Sequence, residues 1–167
     1  RIAAAMDRIG NVKDEMWDEE DGFFYDLLRT PDGQGVRLKV RSMVGLLPLC
    51  ASTVIPGADV VNLQALRARV AKFLGRNPEL SANIAPIDKP GKNGQFLMSI
   101  LNEDKLRRVL AKMLDENEFL SPYGIRALSR YHEQNPYVFH VHGQEYRVDY
   151  LPAESNTGMF GGNSNWR

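Results

Sequence analysis

One cysteine, Cys50, leaves no partner for an internal disulfide. That sets aside the disulfide-stapled scaffolds of small secreted domains. Its setting in "MVGLLPLCA" predicts a buried, inert thiol in a reducing, cytoplasmic environment. Charge excess is missing too. The chain's 21 Lys and Arg balance 21 Asp and Glu, so nothing in the total draws it to nucleic acid or to an anionic membrane. The longest apolar run, around residues 43–55, is broken by Gly45 and Pro48 and is too short to span a bilayer. Internal repeats and low-complexity stretches are absent. So is an initiator methionine: "RIAAAMDRIG" opens straight into a helix-favouring stretch with no capping residue ahead of it. Both ends read as cut from a longer chain.

Several catalytic signatures are also missing. There is no G-x-S-x-G elbow, no H-E-x-x-H pair and no phosphate loop, since the glycines of "GMFGGNSN" are not followed by Gly-Lys-Ser/Thr. His140 and His142 would share a face of a strand, but His132 is the only other histidine, and a metal site needs a third or fourth ligand. The expectation is no metal and no cofactor.

What is present is an ordinary globular composition, 43% hydrophobic and 25% charged. Ile2, Met6 and Ile9 recur at helical spacing. Asp21-Gly22 signals a turn, "FFYDLL" and "VRLKV" suit strands, and "TPDGQG" suits the loop between them. Residues 42–53, apolar nearly all round, predict a buried helix capped by Ser42 and kinked at Pro48. Leu63, Leu66, Val70, Phe73 and Leu74 predict a helix ended by Gly75 and Pro78, and residues 81–94 a loop. "GQFLMSI" suits an extended segment. Leu106, Val109, Leu110, Met113 and Leu114 mark the clearest amphipathic helix, "SPYG" a turn, and "YVFHVHGQEYRVDY" a hairpin about His142-Gly143-Gln144. The reading is mainly α, with short strands at one end.

Carboxylates set among aromatics are the pattern closest to chemistry. "MWDEEDGFFYD" places Asp18, Glu19, Glu20, Asp21 and Asp26 between Trp17 and the Phe23-Phe24-Tyr25 run. "YRVDYLPAES" places Asp149 and Glu154 near Tyr146 and Tyr150. Carbohydrate sites combine aromatic faces that stack on pyranose rings with carboxylates and Arg that bind hydroxyls, and hydrolysis needs one carboxylic acid and one carboxylate. The competing reading makes Trp17, Phe23 and Tyr25 core and the acids a turn.

Four stretches, "MWDEEDGFFYDLLRTPDG", "LKVRSMVGLLPLCA", "MLDENEFLSPYGIRALSRYH" and "YLPAESNTGMFGGNSNWR", resemble the bacterial branch of glycoside hydrolase family 63, the processing α-glucosidases and mannosylglycerate hydrolases. The resemblance runs from about Trp17 to Arg167. It implies a partial (α/α)6 barrel with β-hairpins in its loops, residues 1–167 being the central part of one catalytic domain truncated at both ends. It implies an inverting α-glycosidase acting on oligosaccharides or small glycosides, with an Asp general acid before Arg1 and a Glu general base beyond Arg167. Asp149 and Glu154 are the in-chain alternatives. It also implies substrate contacts from Trp17, Asp18, Asp21, Arg41, Asn165, Trp166 and Arg167, the last three in a pocket wall. Incomplete helical rings would expose apolar faces through which copies self-associate. A non-catalytic carbohydrate-binding or assembly module would use the same aromatics.

Overall fold

The computed structural model describes residues 2–7, 15–31, 33–61, 64–86 and 89–151. In chain order these form α1 (Ile2–Asp7), β1 (Trp17–Asp18), β2 (Phe23–Phe24), β3 (Asp26–Arg29), β4 (Gly35–Leu38), a 3-10 segment (Met43–Ala51) and β5 (Ser52–Ile55). Then come α2 (Gly57–Val61), α3 (Gln64–Arg76), 3-10 turns at Pro78–Asn83 and Lys92–Gly94, β6 (Phe96–Ser99) and α4 (Glu103–Met113). The series closes with β7 (Leu120–Ser121), β8 (Gly124–Ile125), a 3-10 turn (Arg130–Glu133), β9 (Tyr137–Val141) and β10 (Gln144–Val148). All the sheets are two-stranded and antiparallel: β1–β2, β3–β4, β5–β6, β7–β8 and β9–β10.

This corrects the expected mainly-α (α/α)6 barrel. Concentric helical rings need a series of long α-helices, and among the described residues α3, with 13 residues, and α4, with 11, are the only α-helices of more than about two turns. Much of the remainder is hairpin. The helix expected over residues 42–53 is instead a 3-10 segment followed by strand β5, whose β-branched "STVI" pairs with β6 from Ser52↔Ser99 to Ile55↔Phe96.

The same segment corrects the expected burial of Cys50, which is exposed. A 3-10 helix turns once in roughly three residues. Val44, Leu47 and Cys50 therefore share one outward ridge, while Gly45, Leu46 and Pro48 turn inward. Ile2 is likewise exposed and Ala3 buried, so the inward face of α1 lies one residue from the expected one; Ile9 lies outside the described residues.

The chain divides into two compact units, one of residues 1–15 and 47–107, the other of residues 16–46 and 108–167. In the first, the β5–β6 ribbon is fastened by a hydrogen bond between the Ser52 and Ser99 hydroxyls at 2.7 Å. Asn102 caps α4 by accepting from the Lys105 amide at 3.0 Å, and the Lys105 ammonium pairs with Asp7. In the second unit, the Phe23 ring stacks on Phe119 at 5.6 Å and meets Tyr25 edge-on at 5.4 Å. A neighbouring cluster joins Val40, Leu128, Val148 and Tyr150, with Tyr137 against it. The β9–β10 ribbon turns at His142-Gly143, both at positive φ (49° and 77°), a two-residue hairpin loop; Gln144, expected in the turn, instead opens β10 opposite Val141.

No helix among the described residues is long and apolar enough to cross a membrane.

Gly45 sits where the 3-10 segment passes the aromatic core. A Cβ there would lie 2.3 Å from the Phe23 ring and 2.4 Å from the Phe24 carbonyl oxygen. Gly45→Ala is expected to cost about 1–3 kcal/mol of stability, the range for overpacking a filled core. Urea unfolding of the two proteins measures it, and an unchanged midpoint would contradict the packing described.

Candidate functional site: a buried ion network around Arg41

The turn between β1 and β2 is built by its own acids. Asp18 Oδ1 accepts the Asp21 amide at 2.8 Å, and the Gly22 amide donates to the Asp18 carbonyl at 2.8 Å. Gly22 has φ +62°, and a Cβ there would meet the Arg108 guanidinium at 2.4 Å, so the position excludes a side chain on two counts. Trp17 is only 6% exposed. Its ring lies 4.8 Å from that of Phe24 and under the Arg108 guanidinium at 5.3 Å, and its indole N–H donates to Glu19.

Arg41 follows β4 and is held beside Ser129 by backbone pairing. The Ser129 amide donates to the Arg41 carbonyl, and Ser42 bridges Leu128. Arg41 is 8% exposed, and each nitrogen of its guanidinium is engaged. Nη2 donates to Asp21 at 2.9 Å, Nη1 to Glu118 at 2.5 Å and Nε to the Tyr25 hydroxyl at 3.3 Å, while the plane lies 3.7 Å from the centroid of Tyr131. Glu118 also accepts from Lys112 at 3.2 Å and from the Ser129 hydroxyl at 2.5 Å. Asp18 accepts from Arg37 at 2.7 Å and pairs with Lys39 at 2.9 Å, and Lys39 reaches Asp21 at 3.0 Å. Three carboxylates and four cations thus share one connected network.

The loop that carries Glu118 is fastened from behind by Arg126. Its Nη1 donates to the carbonyls of Glu116, Glu118 and Leu120, and its Nε donates to the Tyr150 hydroxyl at 3.1 Å. His132 closes the network from another side. It sits in the 3-10 turn capped by Ser129, whose oxygen accepts the Tyr131 amide at 3.1 Å. A backbone N–H can only donate, so His132 Nε2 accepts from the Arg41 amide at 2.8 Å, and Nδ1 carries the proton given to the Asn135 carbonyl at 2.8 Å. The imidazole is therefore neutral.

Ionisation follows from these contacts. Burial alone would raise the Asp18 pKa, but the Asp21 amide, Lys39 and Arg37 outweigh it and hold it at about 2. Asp21 is lowered against its own burial by Lys39, Arg41 and the Tyr25 hydroxyl. The hydrogen bond from Lys39 to Asp18 raises the Lys39 pKa. Burial raises that of Tyr25. Burial, reinforced by the Arg41 charge, lowers that of His132.

Of the residues singled out in the sequence, Trp17, Asp18, Asp21 and Arg41 come together here. Asp149 does not join them: both its oxygens accept from Arg147 Nε, at 2.8 and 2.9 Å. Glu154, Asn165, Trp166 and Arg167 lie outside the described residues. The sequence reading missed Glu118, Ser129 and His132. Only one signal pointed to Glu118, an acid abutting the apolar "FL" in "DENEFL"; nothing local announces that it meets Arg41, 77 residues away. His140 faces Glu145 across the β9–β10 ribbon at 3.9 Å, and among the described residues no group of three or more His, Cys, Asp or Glu could hold a metal ion.

Arg41→Ala leaves the buried Glu118 to Lys112 and Ser129 and Asp21 to Lys39, and is expected to cost about 3 kcal/mol, the low end for breaking a buried pair. Arg41→Lys is expected to recover little of it, because an ammonium cannot make the forked contacts. Chemical denaturation of the two variants measures both effects.

A second expectation concerns pH. The folded state depresses the His132 pKa below its ordinary value of 6.5, so below that pH the unfolded chain binds the extra proton first. The stability His132 contributes is complete above about pH 6.5 and is lost as pH falls through the depressed folded value, at up to about 1.4 kcal/mol per pH unit. Asp18 adds a separate loss between about pH 3.8 and pH 2. Denaturant midpoints from pH 7.5 to 4.5 should slope downward in the parent and flatten in His132→Gln; equal slopes would contradict the neutral buried imidazole.

No family model and no solved structure matches this chain. It is similar to "Uncharacterized protein YMR196W" of Saccharomyces cerevisiae, 45% identical over 157 residues, which cover 93% of this chain and 14% of that protein. The chain thus spans about one-seventh of the length of the curated relative it matches.

Proposed function

We propose that this chain is part of an inverting α-glycosidase that hydrolyses α-glucosidic or α-mannosidic bonds in oligosaccharides or small glycosides. Its own contribution is the rigid floor of a sugar pocket. The observation that carries the reading is the gathering of Asp18, Asp21 and Arg41, three of the residues assigned to sugar contact by resemblance, into one hydrogen-bonded cluster, with Trp17 beside Asp18 on β1. The reading rests on that cluster and not on any barrel.

The chemistry divides the roles. Inversion needs two carboxyl groups roughly 6.5–9.5 Å apart, one protonated near neutral pH and one ionised. Asp18 and Asp21 are both held ionised and bound to cations, so neither is a general acid. The acid and base belong elsewhere: before Arg1 and beyond Arg167 by resemblance, with Asp149 and Glu154 as the in-chain candidates. Trp17, Asp18 and Arg41 support the pocket from beneath, where burial keeps them from moving. The rim is formed by Asp21 and Lys39, whose side chains are 21% and 45% exposed. An acceptor and a donor side by side suit the adjacent hydroxyls of a pyranose. The mechanism needs no metal or organic cofactor, and a cytoplasmic location belongs to the same reading.

A second reading, a carbohydrate-binding or assembly module without turnover, is favoured by the completeness of the network: Asp18 and Arg41 spend their hydrogen bonds on each other's neighbours.

An α-glucoside and α-mannoside panel, assayed on this chain and on a longer polypeptide that contains it, separates the readings. Proton NMR identifies the first anomer released. The expected result is hydrolysis by the longer polypeptide with release of the β-anomer, and about a tenfold higher KM in Asp21→Asn with kcat little changed. Sugar binding without turnover in either protein selects the second reading. Neither binding nor turnover overturns both.

A further inference from the structure

Within the second unit, the β3–β4 and β9–β10 ribbons turn one face each toward the other. Side chains alternate along a strand, so Asp26 and Leu28 share a face with Leu38, the partner of Asp26 on β4. On the other ribbon Tyr137 and Phe139 share a face with their partners Val148 and Tyr146. The two faces meet at one end. There Val148, 1% exposed, packs with Val40 and Tyr137, and the Lys39 amide donates to the Tyr137 hydroxyl. Nearer the tips the packing opens: Leu28 and Tyr146 stand 36% and 40% exposed, and a cleft of about 300 Å³ lies between the ribbons. Close-packed interiors leave few voids of that size, and it falls at the small end of ligand pockets.

The lining selects the ligand. Leu28, Leu38 and Val40 make one wall aliphatic, and Tyr137, Phe139 and Tyr146 make the other aromatic. Asp26 brings the only charge to the lining, and among the described residues its carboxylate has neither a hydrogen bond nor an ion pair. Arg37 and Lys39, which alternate with Leu38 and Val40, are committed to Asp18 and Asp21 in the ion network. A pyranose would leave most of its hydroxyls unpaired here: the Tyr146 hydroxyl already donates to Gln144, and that of Tyr137 accepts from the backbone. An anionic ligand would meet the Asp26 carboxylate. Apolar walls, aromatic faces and one unspent negative charge suit a hydrocarbon body that ends in a cation.

We propose that the cleft between the two ribbons binds a small apolar amine in its ammonium form. The hydrocarbon part lies between Leu28 and Leu38 on one side and Phe139 and Tyr146 on the other, and the ammonium pairs with Asp26. The site is separate from the Arg41 network, and it stands whether or not that network acts on a sugar.

The test titrates this chain with phenethylammonium, with the neutral phenethyl alcohol and with the anionic phenylacetate, each followed by proton–nitrogen NMR. The expected result is saturable binding of the ammonium, with shifts at the amides of Leu28, Phe139 and Tyr146, about fivefold tighter than the alcohol and weakened by added salt. Phenylacetate should bind more weakly than either. Asp26→Asn should bring the ammonium down to the affinity of the alcohol and leave the alcohol unchanged, and Asp21→Asn should alter neither. Equal affinity for ammonium and alcohol, tighter binding of phenylacetate, no binding, or undiminished ammonium affinity in Asp26→Asn overturns the proposal. So does displacement of the ammonium by methyl α-glucoside, or a dimer in sedimentation whose contacts cover Phe139 and Tyr146. If Asp26→Asn disturbs the cleft, seen as loss of the alcohol's shifts, Tyr146→Leu decides. It keeps an apolar wall but removes a ring face, so it should weaken the ammonium more than the alcohol, and an equal change in both overturns the proposal.

Discussion

Everything in the second unit answers to one difficulty, a guanidinium withdrawn from water. Burial disfavours the Arg41 charge, and the charge survives because Asp21, Glu118, Tyr25 and the face of Tyr131 surround it. Each of those partners sits on a different stretch of chain. The β1–β2 turn, the loop after α4 and the 3-10 turn at Arg130–Glu133 must all be in place before the ion is satisfied. The network is therefore a condition on the fold as much as a product of it. The neutral imidazole of His132 extends the condition to the backbone, since it takes the hydrogen bond of Arg41's own amide.

The two units solve the packing problem differently. The second has a stacked aromatic centre and a connected set of ion pairs. Among its described residues the first has few buried side chains, Ala3, Ala85, Leu101 and Lys105 among them, and an exposed long helix. Hydrophobic burial scales with the apolar area removed from water, so a unit with so little of it depends on what else covers it.

Local signals in the sequence were read well where local physics decides. Period-two alternation and turn residues locate β3–β4 and β9–β10, "SPYG" marks the turn between β7 and β8 without announcing the strands, and period 3.6 locates α3 and α4. Failure came where an apolar run carries no period of its own. "SMVGLLPLCASTVI" suits a buried helix as well as any other element, and only the pairing of β5 with β6, some 40 residues on, separates strand from 3-10 segment. The resemblance then extended the helical reading to the whole chain, where the hairpins did not follow it. At the candidate site, Trp17, Asp18 and Asp21 were legible as an acid- and aromatic-rich set, and Arg41 entered only through the resemblance. Glu118 and His132 were not, because contacts 77 and 91 residues apart leave no trace in spacing.

Two-stranded ribbons carry one more implication. A strand in the middle of a broad sheet transmits any change of length to neighbours on both sides, but a ribbon has no middle strand. The tips lie at Gly33, Pro122-Tyr123 and His142-Gly143, and a Cβ built on Gly33, on Gly143 or on Gly124 beside its tip meets open space. Exposed tips of this kind accept added residues without disturbing what lies beneath. Such a molecule is free to lengthen and vary at its margins without disturbing the residues around Arg41. Its loops can thus change their surface independently of the network that holds them in place.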